Sequence, residues 1–152
     1  NYFLLALTSY IFVHIFYILA FLLTPGKNVL TGRRVYQLIL VIIYGAFFIW
    51  LVYNKLITPW GNFRIPVIVY TILLIFMLAA ALNRYGKVNG VSYMLVVIGA
   101  LLFVFSDSLL IINKFYEKVD FAKILILTTH IVAQYLIAVG SLKQDILISE
   151  QE

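Results

Sequence analysis

The sequence predicts an all-α integral membrane protein, a helical bundle with about five transmembrane helices in a single domain over residues 1–152. Two observations carry this prediction. The chain is 64% hydrophobic and 11% charged, whereas a soluble domain is about one half apolar and one quarter charged. The apolar residues also form long blocks with the charges between them, which is typical of spans of roughly 17–25 residues that cross a hydrocarbon layer.

Breaks in the apolar pattern divide the chain into five predicted helices. The first ends at a Thr-Pro-Gly breaker at residues 24–26, and the second ends near the interfacial aromatic residues Trp50 and Tyr53. Pro66 lies in the first turn of the third helix, where its missing N–H does no harm. The tail from Lys143 is polar, and we expect it to be frayed. The predicted helices cover residues 2–23, 35–53, 65–82, 91–113 and 122–142.

The first residues of the chain, its lack of cysteine and its net charge limit the classes of protein to which it can belong. The apolar run starts at Tyr2, without the basic region of a secretory signal peptide, so we expect the C-terminal part of a longer protein. The chain has no cysteine, which excludes disulfides, thiolate metal sites and a cysteine nucleophile. The formal charge of +5 comes from basic residues at predicted helix ends, where lipid headgroups account for them. The expected partner is therefore the lipid bilayer and not nucleic acid.

Three ionisable residues lie inside the predicted spans, namely His14, Asp107 and His130. An Asp at the centre of a span costs about 2.5–3.5 kcal/mol to insert, so a buried acid there indicates a function. At 1.5 Å per residue, Asp107 lies ~9 Å from the end of the fourth predicted helix, and His130 lies ~12 Å into the fifth from the same membrane face. The two side chains are therefore predicted to be level and to meet across adjacent antiparallel helices.

Other polar residues extend this candidate site. Tyr10, His14 and Tyr17 share one face of the first helix, and His130 and Gln134 share one face of the fifth. Asp107 has a serine on each side, and a lysine stands on its face two turns later near the headgroups; these three residues are Ser106, Ser108 and Lys114.

Each of these residues also has a purely structural interpretation. Asp107 and the histidines can join helices by hydrogen bonding, and the tyrosines and Gln134 can simply pack. Lys114 can be a snorkelling lysine at the end of a span, and the serines can bond to the preceding turn. A serine triad lacks the G-x-S-x-G elbow, and a metal site from His14, Asp107 and His130 lacks a local spacing motif, so no metal or cofactor is expected.

Three segments resemble the YhhN-like family, which includes the animal lysoplasmalogenases. The segment 99–115, with Ser106-Asp107-Ser108 at its centre, resembles the signature helix of that family. The segment 9–21 resembles its His-x-x-Tyr helix, with His14 and Tyr17 at the two positions, and Ala133-Gln134 resembles part of its final helix. The resemblance implies a fold of roughly eight helices, of which this chain is the C-terminal part. It also implies a further acidic Gly-Asp motif upstream, so we expect the chain to be inactive by itself.

The resemblance implies an enzymatic activity for the full-length protein. Lysoplasmalogenases cleave the vinyl ether of a 1-alkenyl lysophospholipid to a fatty aldehyde and a glycerophospho-alcohol. Such a catalyst needs a carboxylic acid that is protonated near neutral pH, which shielding from water favours, and a second carboxylate to stabilise the cation. We expect Asp107 to be the catalytic acid and the second acid to lie upstream. The expected substrate-binding residues are His14, Tyr17, Ser106, Ser108, Lys114, His130 and Gln134, with Lys114 approaching the phosphate.

Other functions remain open at this point. A proton-coupled transporter would use Asp107 and the histidines as a relay, but no inverted repeat favours it. In a non-catalytic membrane subunit the acid would only fix helix packing. A metal-dependent lipid hydrolase is a further alternative within the enzyme class. We expect the protein to reside in the bacterial cell membrane; the sequence predicts neither its orientation nor its oligomeric state.

Overall fold

The computed structural model describes residues 2–25, 32–55 and 64–149, which form five α-helices and no strand. This confirms the predicted all-α fold. The sequence predicts loops over residues 27–34 and 55–64; residues 27–31 and 56–63 of these loops, with Trp60, lie outside the described residues. The helices are α1 (Tyr2–Leu22), α2 (Gly32–Lys55), α3 (Arg64–Leu82), α4 (Gly90–Phe115) and α5 (Ala122–Ser149).

Length and composition identify membrane spans among these helices. Within the described residues, three segments are long and apolar enough to cross a membrane: Ile65–Leu82, Gly90–Phe115 and Ala122–Gln144. The apolar segments of α1 and α2 are shorter there, Leu7–Leu22 and Val35–Leu51. Large apolar side chains are exposed along all five helices, and such a surface in an integral membrane protein faces lipid.

The third helix lies at the centre of the bundle. It packs against α1, α2 and α4, and α4 packs in turn along α5. The side chains of Phe21, Met77, Val96, Phe103 and Ile137 are fully buried and connect α1, α3, α4 and α5 in one core. This core separates two polar regions, one at each end of the bundle, which are described below.

Two glycines bring α4 and α5 into close contact. A Cβ atom at Gly99 would lie 2.9 Å from the main-chain oxygen of Ala133, and one at Gly140 would lie 3.1 Å from that of Ser92. Small residues at such positions allow neighbouring backbones to approach, which is a common way for membrane helices to associate. Ser106 strengthens the same contact, since its hydroxyl donates to the main-chain oxygen of Ile126 at 3.0 Å.

Replacing Gly99 by Ala is expected to lower the free energy of unfolding by about 1–3 kcal/mol, because the added methyl group meets backbone that can move only if the helices separate. Thermal unfolding of the purified protein in detergent measures the loss. Gly90→Ala is the matched control, since no atom lies within 4 Å of the added Cβ, and its effect should stay within about 0.5 kcal/mol. Equal stability of the two variants would contradict the close α4–α5 contact.

The helix ends agree closely with the predicted ones, except for α5. The expected fraying from Lys143 is wrong, because α5 continues to Ser149. The polar residues after Leu142 keep the helical backbone pairing, and the side chain of Gln144 is buried against Arg84. The turn between α3 and α4 is present as predicted and contains Gly86 at a positive φ of 75°, a conformation that glycine adopts without strain.

Candidate functional site

A buried carboxyl group lies where four helices meet. Asp107 on α4 is 1% exposed, and its Oδ2 accepts a hydrogen bond of 2.6 Å from the hydroxyl of Tyr70 on α3. His14 on α1 and His130 on α5 approach the same carboxyl group. We call Asp107, Tyr70, His14 and His130 the acid cluster. Burial of a carboxyl group is tolerated in proteins when neighbouring groups donate to it or share its proton.

His14 is fully buried and oriented by its own helix. Its Nδ1 lies 2.7 Å from the main-chain oxygen of Tyr10, an acceptor, so Nδ1 carries a proton. Its Nε2 lies 3.5 Å from Oδ2 of Asp107 and has no hydrogen-bond partner among the described residues. A buried ring nitrogen without a partner is costly. A hydrogen bond between Nε2 and the carboxyl group removes that cost, and a small approach of the two side chains is enough to form it.

His130 approaches the other carboxyl oxygen. Its Nδ1 lies 4.0 Å from Oδ1 of Asp107. The two side chains are thus at the same depth in the bundle, as the sequence predicts. Its Nε2 lies 3.0 Å from the amide nitrogen of Gln134, one turn further along α5. An amide N–H that donates to Nε2 leaves the proton of the neutral ring on Nδ1, which faces the acid. Gln134 therefore acts on the carboxyl group only through His130.

Aromatic side chains enclose the acid cluster. The ring of Phe103 lies 5.1 Å from that of His14 and 4.5 Å from that of His130, centroid to centroid. Tyr17 packs edge-on against Phe103 at 6.0 Å, and Tyr10 packs edge-on against His130 at 5.3 Å. Tyr10 therefore contacts the acid cluster directly, whereas Tyr17 contacts Phe103, which lies between Tyr17 and His130.

The two serines next to the acid point away from it. The Ser106 hydroxyl donates to α5, as described above, and Ser108 donates to the main-chain oxygen of Val104 at 2.6 Å. Ser108 also pairs with the hydroxyl of Tyr44 at 2.6 Å and borders an apolar cavity of about 530 Å³ between α2 and α4. Both serines therefore hold α4 against its neighbours.

A second cavity, of about 410 Å³, adjoins the acid cluster between α1, α4 and α5. His130 and Tyr10 form its inner end, and Lys123 lies at the start of α5. Asp107 is not among the described residues that line this cavity, whereas His130 is, with a side chain that is 13% exposed. Lys114 is also absent from its described lining and is exposed in the last turn of α4. His130 therefore lies between the carboxyl group of Asp107 and the cavity.

The arrangement has the properties of a proton-handling centre. Within residues 2–25, 32–55 and 64–149, no three His, Asp or Glu side chains are placed to hold a metal ion. One carboxyl group lies instead between two imidazoles and a phenol, all of which bind or release protons. Such a cluster can deliver a proton to a bound molecule and take one back.

Two of the polar residues at the ends of the bundle do not stand out in the sequence. Tyr70 resembles a packing tyrosine, although it lies six residues into α3, at ~9 Å depth and thus level with Asp107.

Arg84 resembles a loop cation but is 2% exposed. Its guanidinium donates to Gln144 at 2.6 Å and to Ser92 at 3.1 Å. It also stacks over the ring of Phe21 at 5.4 Å. Arg84, Ser92 and Gln144 form a second polar centre, which we call the arginine cluster.

One of three comparisons with known proteins identifies a family for this chain. Neither the search of curated proteins nor the search of solved structures returns a match. The family comparison does: a model of the YhhN family matches residues 1–141, which include every residue of the acid cluster. The chain therefore belongs to the YhhN family.

Proposed function

We propose that this YhhN-family membrane protein, in its full-length form, is a lysoplasmalogenase-like hydrolase that cleaves the vinyl ether of 1-alkenyl lysophospholipids. The observation that carries the proposal is the buried carboxyl group of Asp107, with Tyr70 at 2.6 Å and two imidazoles at 3.5 Å and 4.0 Å. Vinyl ether hydrolysis needs a general acid that delivers one proton to carbon. The acid cluster lies within the membrane-spanning part of the bundle, where the substrate's hydrocarbon chain also lies.

The reaction is a balanced addition of water. The β-carbon of the vinyl ether takes a proton from the acid cluster, and the double-bond electrons form the new C–H bond, which leaves an oxocarbenium ion. Water then adds to the cationic carbon and gives up a proton, forming a hemiacetal. The hemiacetal then breaks its bond to the glycerol oxygen, which leaves as the alcohol with the proton that the hemiacetal hydroxyl gives up, and the aldehyde is the other product. The catalyst ends with the proton it started with.

The geometry supports different roles for the two carboxyl oxygens. Oδ2 faces Tyr70 and His14, in the interior of the bundle. Oδ1 faces His130, which lines the 410 Å³ cavity. We assign the outgoing proton to the Oδ1 side, nearest the cavity, where the Nδ1–H of His130 stabilises the carboxylate once that proton has left. That carboxylate then accepts the proton of the incoming water, and the second acid that the family resemblance implies stabilises the cation, as paired carboxylates do in glycoside hydrolysis.

Aldehyde release in D₂O tests the proposal. The full-length protein in detergent is given a 1-alkenyl lysophospholipid, and the aldehyde is reduced at once to the alcohol to prevent exchange. Protonation at the β-carbon places one deuterium on the carbon next to the former carbonyl, which mass spectrometry detects. The saturated 1-alkyl analogue is the control, since it has no double bond to protonate and should not be cleaved. No aldehyde from the alkenyl lipid, or aldehyde without deuterium, contradicts the proposal.

Tyr70→Phe is expected to lower kcat for aldehyde release about 10- to 100-fold, with KM changed less than about twofold, because the acid loses the donor that orients it and stabilises its charged form. The ring volume is kept, so the protein should still fold. Tyr93→Phe is the matched control: Tyr93 is also buried and hydrogen-bonded, to Gln37, but belongs to the opposite end of the bundle. An unchanged kcat in Tyr70→Phe would exclude Tyr70 as a positioning residue.

A further inference from the structure

We infer that Lys123 binds the phosphate of the lysophospholipid and so places its vinyl ether beside His130. This inference rests on the proposed function and gives the cavity between α1, α4 and α5 a defined role. It also moves the phosphate contact from Lys114, which the sequence suggests, to a lysine that the structure places in the same cavity as His130.

The cavity follows one face of α5. Lys123, Ile126, Leu127 and His130 all line it, and their spacing of three, one and three residues puts them on one side of the helix. The middle of the cavity is apolar, with Leu110 of α4 opposite. The cavity is therefore cationic at its headgroup end, apolar in between and acid-linked at its inner end. A single-chain phospholipid has its anionic and apolar parts in the same arrangement.

The dimensions agree with this substrate class. Lys123 and His130 are seven residues apart, which is ~10 Å along the helix axis. In a 1-alkenyl lysophospholipid about seven bonds separate the phosphorus from the β-carbon, or about 8 Å at the ~1.2 Å per bond of an extended chain. A phosphate at Lys123 therefore brings the β-carbon level with His130, whose ring lies 4.0 Å from Asp107.

The local electrostatics also favour an anion at this place. Lys123 is the second residue of α5, where the positive end of the helix dipole disfavours a cation and attracts an anion. The neighbouring loop carries both signs of charge, with Glu117 and Asp120 exposed, and neither of these acids lines the cavity. Within the described residues, no acid is paired with Lys123, so its ammonium group is available to a phosphate.

The experiment compares two lipids that differ in the phosphate. Lys123→Gln in the full-length protein is expected to raise KM for a 1-alkenyl glycerophosphocholine about tenfold, the value of one charge-assisted hydrogen bond, with kcat changed less than about twofold. For the matching 1-alkenyl glycerol, which has no phosphate, KM should not change. Lys123→Arg keeps the cation and should restore most of the affinity. Lys118→Gln removes an exposed lysine of the same loop and should behave like the parent protein.

A binding measurement separates this inference from the proposed function. The saturated 1-alkyl glycerophosphocholine cannot be cleaved, so its binding, followed by isothermal titration in detergent, does not depend on catalysis. Weaker binding in Lys123→Gln but not in Lys118→Gln supports the phosphate site even if the parent protein releases no aldehyde. Equal loss of affinity for the phosphate-containing and phosphate-free lipids, or no loss in either, overturns it.

Discussion

Asp107→Asn in the full-length protein is expected to abolish aldehyde release, with a fall in rate of at least about 10²–10⁴-fold, the range that one general acid contributes. The amide has nearly the volume of the carboxyl group, and its oxygen still accepts the hydrogen bond from Tyr70, so packing is preserved. What is lost is the transferable proton and the negative charge left behind by its transfer. Steady-state assay of the alkenyl lysophospholipid, together with thermal unfolding of the same preparation, separates this chemical loss from misfolding.

Asp120→Asn is the matched control for this experiment. Asp120 is exposed in the loop between α4 and α5 and has no contact with the acid cluster, so the same chemical change there should leave the rate unaltered. An Asp107→Asn protein that inserts, folds and still releases aldehyde at the parent rate would end the assignment of Asp107 as the acid. A variant that loses thermal stability and activity in proportion would instead favour the non-catalytic subunit, in which the acid only joins helices.

Arg84→Ala is expected to cause the largest loss of stability of the variants considered, about 3 kcal/mol, because it removes two hydrogen bonds from a buried cation and the packing of its stem. Gln144 and Ser92 lose their donor, and the contact with the ring of Phe21 disappears. At about 2–4 °C per kcal/mol for a chain of this size, Tm in detergent should fall by about 6–12 °C.

Lys87→Ala tests whether this loss is specific to the arginine cluster. Lys87 lies in the same turn and is partly exposed, so its removal should lower Tm by no more than a degree or two. Arg84→Lys keeps a cation but not the planar guanidinium, and an intermediate Tm is expected. If Arg84→Ala unfolded at the same temperature as Lys87→Ala, the buried arginine would not hold the ends of α3, α4 and α5 together.

Much of the fold follows from the sequence because hydrophobic blocks report directly on helices in a membrane. The meeting of Asp107 with His130 also follows, since a short loop between antiparallel helices fixes their relative depth. The site roles of the neighbouring serines are less apparent from sequence. Periodicity gives the face of a helix, but it does not show that Ser106 donates to Ile126 of the next helix.

The residues that sequence reasoning misses are those whose role depends on a distant partner. Tyr70 becomes informative only when α3 is placed beside α4, because tyrosines are common in any membrane bundle. The predicted helix ends at residues 82 and 142 place Arg84 in a turn and Gln144 beyond the last helix. Their hydrogen bond requires α5 to extend past Leu142, and no local pattern in that polar tail indicates the extension.

The separation of the two polar clusters limits what the bundle can conduct. Asp107 and Ser92, one residue from each cluster, are 15 positions apart on α4, or ~22 Å. Over that length the described parts of all five helices carry no Asp, Glu, His, Lys or Arg side chain. Stepwise proton transfer across a membrane needs such groups at intervals along the path. Between the two clusters, the described residues therefore offer no ionisable side chain to which Asp107 can pass a proton.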